Sequence, residues 1–450
     1  MVDKLSVLVP WLLLCYILFR FHRTPLFLTA LPLVFSLGEA GFIKAWGFSI
    51  VIPYFLTLNF GDCSVVLLII AWIYASRRGV TFNKSSKISI YFILKFYILV
   101  LLLYVPLAWI KDSQFTFGTI LQLRQFLNVP ISVFIWLSIF RHCTIGNLYT
   151  LFDSLMRITL IGAVFYSLTS VGIPIYQNSY QSIGLGFGSI HRDFLSFPPY
   201  IGIVLGYVLF SNKPTKNINL FILFIAALLS YTRSIIGAFV LVVFTSQLLR
   251  RDKLTSKFLL LIMIPVVLVS SYLFISNFAP TNSEFLVDRF SEFKSSALPN
   301  NAEARLEGFS YIHEYLSEFS LLTGVGLSMQ NSSSLSTLDI KGVVLGDTLW
   351  NLVLYRLGYL GIVMLAIILL TILYYSISVL FISNLSSSAV FLKLSSVASI
   401  YMILITSAGS FFLMYPVITG LIIATTIFTY SSARLRNDTT SNWKIVRGKA

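Results

Sequence analysis

Residues 258–276 read FLLLIMIPVVLVSSYLFIS, with no charged side chain in the run. A bilayer core about 30 Å thick takes roughly 20 apolar residues of helix, and this stretch meets that length. In lipid every backbone N–H and C=O must find a partner within the protein, so the run is a helix or a strand of a closed barrel. Barrel strands alternate apolar and polar residues. Here consecutive positions are apolar, so the stretch reads as a transmembrane helix.

Similar runs recur near 5–21, 25–38, 42–58, 62–76, 89–110, 117–140, 157–175, 194–211, 217–231, 234–249, 358–381, 388–408 and 411–432. Hydrophobic residues make up 57% of the 450-residue chain and charged residues 11%, against about a quarter charged in a soluble domain. The predicted fold is all-α, a polytopic transmembrane helix bundle of about 12–14 helices with one large outward loop that contains an amphipathic helix. Residues 1–276 form a transmembrane region, 277–346 the loop, 347–432 the C-terminal transmembrane helices and 433–450 a basic tail. Residues 1–21 lack a small-residue cleavage site and read as a retained first helix. No internal repeat is visible.

The net charge of +15 raises nucleic acid as a partner, but the placement of the charge excludes it. Arg77, Arg78, Lys84 and Lys87 share one short connection; Lys213 and Lys216 share another; Arg250, Arg251, Lys253 and Lys257 a third. Arg434, Arg436, Lys444, Arg447 and Lys449 fill the tail. Basic residues in short connections mark the cytoplasmic side, which puts 77–88, 141–156, 212–217, 250–257 and the tail inside and 277–346 outside. Cys15, Cys63 and Cys143 have no metal-ligand spacing and imply no disulfide.

The loop differs in character. Together with Asp347 it holds Glu284, Asp288, Glu292, Glu303, Glu307, Glu314, Glu318 and Asp339, nine of the 17 acidic residues. Leu306, Phe309, Ile312, Leu316 and Phe319 recur at helical spacing, which predicts an amphipathic helix lying on the membrane or over a cavity. Polar 329-MQNSSSLST-337 reads as a mobile stretch.

Several familiar chemistries are missing. No D-x-D pair or paired histidine suggests a metal, and lone Glu39 and Asp62 are a poor substitute. No G-x-x-x-x-G-K-[ST] loop suggests nucleotide hydrolysis. The string 184-GLGFG-188 has no preceding strand and reads as a turn. The arginines remain. Arg233 lies between two hydrophobic runs, Arg124 several residues inside another, Arg192 just before the run near Phe194, and Arg289 and Arg305 in the loop. An arginine at membrane depth costs about 2.5–3.5 kcal/mol on insertion scales, so it is usually paired or lines a polar cavity. Outward-facing guanidinium groups suit phosphate oxygens; the plainer reading is snorkelling to the interface.

Four stretches, in this order, resemble the O-antigen polymerase and ligase superfamily: 231-YTRSIIGAF-239, 305-RLEGFSYIHEY-315, 322-LTGVGLS-328 and 347-DTLWNLVLYRLGYLG-361. Leu354, Gly358 and Gly361 fall at the family's offsets in the last. The resemblance covers roughly residues 120–380. Ligases carry histidine where this chain has Asp347 and asparagine where it has Thr348, and the family's leucine is Asn351 here; the aspartate resembles the polymerase branch.

That resemblance implies glycosyl transfer from an undecaprenyl diphosphate-linked oligosaccharide at the periplasmic face of a bacterial inner membrane, with no metal or other cofactor and a chain-length regulator protein as a candidate partner. Within it, Asp347 is the first candidate for general base, with Glu303 and Glu307 behind it, and Arg305 and Arg233 are candidates to stabilise the diphosphate. Arg192, Arg289, Arg124, His313, Gly324 and Gly326 are candidate substrate-binding residues. Asp347 also suits a helix N-cap, and His313 and His191 also suit plain surface positions. A ligase that transfers glycan to the lipid A core, a flippase for lipid-linked oligosaccharide and a structural membrane partner stand as alternatives.

Overall fold

The computed structural model describes residues 50–52, 56–58, 60–77, 95, 97–104, 106–107, 117–140, 145–170, 182–183, 190–191, 201–202, 205–206, 209, 216–229, 233–248, 308–310, 312–316, 318–326, 339–340, 343–344, 349–381, 393–406 and 416–430. Nearly all of this structure is helical. The labelled helices are α1 (Phe60–Arg77), α2 (Phe117–Phe140), α3 (Ile145–Ser170), α4 (Lys216–Leu229), α5 (Arg233–Leu248), α6 (Glu318–Thr323), α7 (Leu349–Phe381) and α8 (Lys393–Thr406). A ninth, α9, runs Pro416–Tyr430. Among the described residues α7 is long and apolar enough to cross a membrane, and Ser64–Ile73, Phe126–Phe140, Asn217–Leu228, Ile235–Phe244 and Pro416–Tyr430 are shorter apolar helices.

The strands are three antiparallel pairs of two or three residues: β1 (Ile50–Ile52) with β2 (Leu56–Leu58), β3 (Ser182–Ile183) with β4 (Ile190–His191), and β5 (Asp339–Ile340) with β6 (Val343–Val344). The first pair corrects the helix expected over 42–58. Ile50, Val51 and Ile52 are β-branched and Pro53 follows them, and both features favour extended backbone and a turn over helix.

Two more boundaries move for physical reasons. Residues 141–156 were expected to be a cytoplasmic connection, yet α3 begins at Ile145. Its first half buries every position from Leu151 to Met156. The Asp153 carboxylate meets the Arg157 guanidinium one turn on, at 3.0 Å, with Arg157 half exposed. The polar Asp153 and Ser154 that suggest a connection are thus buried within a helix, Asp153 with a charge partner one turn on. Likewise α7 begins at Leu349, nine residues before the expected start at 358.

α1 packs on α2, α3 on α4, and α8 on both α5 and α7. At the centre is α9, buried continuously from Pro416 to Ile427, as a helix that is apolar all round should be. The Trp136 indole N–H donates to the Val417 carbonyl at 3.0 Å, tying α2 to α9. Ser399 and Thr426 share a hydrogen bond of 2.8 Å between α8 and α9. Thr425, Thr426 and Thr429 donate to the carbonyls of Leu421, Ile422 and Thr425 one turn earlier, so these buried hydroxyls are satisfied within their own helix.

Candidate functional site

Thirty-three helical residues would extend about 50 Å, well beyond a bilayer core of about 30 Å. α7 is not straight over that length: at Gly358 (φ 62, ψ −163) the helical path breaks. Only glycine readily adopts that backbone region. Leu349–Leu357 forms a short leading segment, and the residues after Gly358 form a run of about 34 Å by helical rise.

A broken helix leaves carbonyls without their intrahelical donors. At this break three consecutive carbonyls receive donors from elsewhere in the chain. Val325 N–H donates to Tyr355 O at 2.8 Å, and Gly326 N–H to Arg356 O at 3.2 Å. The Tyr104 hydroxyl donates to Leu357 O at 2.6 Å. Each such bond contributes about 0.5–1.5 kcal/mol net, and leaving the carbonyl buried without it would cost about 1–3 kcal/mol.

The two amide donors come from a turn after α6 in which Gly324 (φ 71) and Gly326 (φ 90) both have positive φ. Gly324 and Gly358 face each other across this joint. A Cβ on Gly324 would lie 2.5 Å from the Arg356 carbonyl carbon and oxygen; one on Gly358 would lie 2.5 Å from Gly324 N and 2.6 Å from Leu321 O. Neither position has room for any side chain, so the two segments meet backbone to backbone.

The rest of the 308–326 segment lies on α7. Ile312 and Leu316 are buried with Leu354 and Tyr355, and Phe309, Leu321, Val325, Tyr359 and Ile362 close around them. Burying an aliphatic side chain of this size is worth about 1.5–3 kcal/mol. The expected amphipathic stripe is therefore present at Phe309, Ile312 and Leu316, and it packs on α7. The helical path also bends near Leu316 before α6 begins.

Around this contact sits an aromatic group. The exposed His313 ring meets Tyr359 edge-on at 6.0 Å, and Tyr315 lies 6.3 Å from Tyr355. Arg356 is fully buried, and its guanidinium lies 5.5 Å from the centre of the Tyr355 ring, within the range of a cation–π contact. It is the only charged residue among the 33 of α7.

Of the residues chosen from sequence, Gly324, Gly326 and His313 meet at this joint. Arg124 is half-buried two turns into α2. Arg233 is the first residue of α5. Asp347, Arg305, Arg192, Arg289, Glu303 and Glu307 lie outside the described residues, as do 258–276, 329–337 and the GLGFG string, although the short strand β3 does precede that string. Sequence reasoning missed Arg356, Tyr355, Tyr359 and Tyr104. A signal for Arg356 was present: a single charge within an apolar run, beside a glycine. Among the described residues no group of three or more His, Cys, Asp or Glu side chains comes together to hold a metal ion.

No protein-family model matches the chain, and no curated protein is significantly similar to it.

Proposed function

We propose that the chain is a multi-pass inner-membrane glycosyltransferase of the O-antigen polymerase type, which joins undecaprenyl diphosphate-linked oligosaccharide repeat units at the periplasmic face. The observation that carries this reading is the joint. Two of the stretches with family resemblance, 322–328 and 347–361, are separated in sequence, yet their described residues 322–326 and 349–361 meet through Gly324 and Gly358. The basic connections on the opposite side, read by the positive-inside rule, support a periplasmic position for 277–346.

In this reaction the acceptor sugar hydroxyl attacks the anomeric carbon of the donor glycan. The bond from that carbon to the diphosphate oxygen breaks, and undecaprenyl diphosphate leaves with the electron pair. Asp347, two residues before α7, takes the hydroxyl proton. Arg305 and Arg233 hold the diphosphate and stabilise its charge as the bond breaks, with Arg192, Arg289 and Arg124 as further contacts along the substrate. The diphosphate is already a good leaving group, so the residues need supply only orientation, charge and a base. A chain-length regulator protein is the partner that fits a polymerising enzyme.

An interrupted helix is also a feature of transporters, whose substrate sites lie near the bilayer midplane. In α7 the break falls nine residues from the helix start, near one end rather than the middle, which favours the enzyme over a flippase. The surface glycan of a strain lacking the protein separates the readings. A polymerase predicts a single repeat unit still attached to the surface lipid. Lipid-linked polymer accumulating unattached would mean a ligase, and repeat units trapped on the cytoplasmic leaflet would mean a flippase.

A further inference from the structure

We infer that the break at Gly358 lies at the outer edge of the bilayer's hydrocarbon core. Beyond it α7 crosses the membrane against lipid acyl chains, and before it Leu349–Leu357 is held clear of lipid inside protein. The exposure of α7 changes character at the break. Leu349 and every residue from Asn351 to Gly358 are buried. After it Val363, Ile367, Leu370, Tyr374, Ile377 and Phe381 are 42% to 67% exposed, and their alternating steps of four and three keep them on one face of a helix. No charged residue falls between Tyr359 and Phe381. The Thr371 and Ser376 hydroxyls donate to the carbonyls of Ile367 and Ile372 one turn earlier, each at 2.7 Å. Water does not suit such a face, because a soluble protein rarely leaves so long an apolar patch uncovered. Lipid does, since it supplies no hydrogen-bond partner and this face needs none. Ile70 on α1, Leu103 in the helical stretch 97–104 and Phe221 on α4 are also at least 50% exposed. Outward apolar residues on several helices form a belt, not the footprint of one partner.

Two markers set the depth. The rings of Tyr374 and Tyr375 lie 6.5 and 4.4 Å from that of Tyr430, and tyrosine collects at membrane–water interfaces. Arg434 and Arg436 follow Tyr430 closely in sequence, which marks this end of α7 as cytoplasmic. By helical rise Tyr374 lies about 24 Å and Phe381 about 34 Å beyond Gly358. A hydrocarbon core of about 30 Å that ends anywhere between them begins within about 6 Å of Gly358. The caps at the break suit that place. Lipid satisfies no free carbonyl, and those of Tyr355, Arg356 and Leu357 take their donors from Val325, Gly326 and Tyr104. The joint thus stands at the level of the lipid headgroups, where the diphosphate of a lipid-linked glycan lies. This depth rests on the multi-pass membrane reading of the chain and not on the proposed reaction.

The test places single spin labels on cysteines introduced at Val363, Leu370, Phe381 and Tyr315 of the full-length protein in lipid nanodiscs, with Cys15, Cys63 and Cys143 changed to Ser. Each label is read for collision with oxygen, which concentrates at the bilayer centre, and with a water-soluble nickel chelate. The expected profile favours oxygen most at Leu370 and less at Val363 and Phe381, and it favours nickel at Tyr315, which is 59% exposed beside the joint. Nickel-favoured collision at Leu370 would put the stripe in water and overturn the proposal. Shielding of Leu370 from both reagents would mean that another helix or a second copy covers the stripe, and would overturn it too. So would an oxygen maximum at Val363, which places the break deep in the bilayer. Two further substitutions need no cysteine-free protein. Leu370→Asp should leave several-fold less membrane-inserted protein than Phe381→Asp, because a charge costs most at the bilayer centre. Equal yields of the two, high or low, would contradict the depth. The surface glycan of a strain lacking the protein tests the reaction separately, so a wrong depth and a wrong reaction are told apart.

Discussion

Along α9, side chains do the holding: Trp136 fills the space beside Val417, Thr426 meets Ser399, and every position from Pro416 to Ile427 is buried. At the joint between 324–326 and 355–358, backbone meets backbone: the Val325 and Gly326 amides donate to the Tyr355 and Arg356 carbonyls, with a glycine on each side. The first kind of contact tolerates exchange of one apolar side chain for another of similar volume. The second tolerates no side chain at all. The bundle and the joint thus answer to different rules, and a change that damages one should leave the other standing.

The largest expected effect belongs to the bundle. Trp136 is fully buried, packs on Phe140 at 5.8 Å between ring centres and hydrogen-bonds α9. Trp136→Ala should lower stability by about 3–5 kcal/mol, read as a fall in the thermal unfolding midpoint of detergent-purified protein. An unchanged midpoint would mean that α2 and α9 do not share one core. A smaller effect is expected where a side chain serves the joint. Tyr104→Phe keeps the ring packed but removes the donor to Leu357 O, and should cost about 1–3 kcal/mol by leaving a buried carbonyl without its partner. If Tyr104→Phe matches Trp136→Ala in the same assay, the joint and the bundle are one cooperative unit and the contrast between them fails.

How much of this was legible in the sequence follows from the same contrast. Apolar runs report burial directly, so the expected 117–140 coincides with α2, and α4, α5, α8 and α9 lie within a few residues of the runs that predicted them. Hydropathy fails where burial and polarity part company. The first half of α3 is hidden behind Asp153 and Arg157, although these pair with each other on one helical face. The leading segment of α7 is hidden behind Asn351 and Arg356, both buried in the folded chain. The hairpin at 50–58 is hidden because an apolar run reads alike as helix or strand. At the site, the glycines at 324 and 326 mark a turn in any sequence reading. Their partners at 355–358 do not show, because backbone-to-backbone contact leaves no pattern of side-chain types beyond one more glycine. Arg356 shows in the sequence only as a lone charge within an apolar run, which does not reveal that it is fully buried.

The most direct test of the proposed reaction concerns Asp347, which as a base needs an ionisable carboxylate and as an N-cap needs only an oxygen acceptor. Asn retains the cap but cannot take the proton. The measurement is the length distribution of surface polymer made by a strain carrying Asp347→Asn, at membrane protein levels matched to wild type. The expected result is loss of the ladder to a single repeat unit, corresponding to about a 10²–10⁴-fold loss of polymerising activity. A full-length ladder from the Asn variant would contradict it.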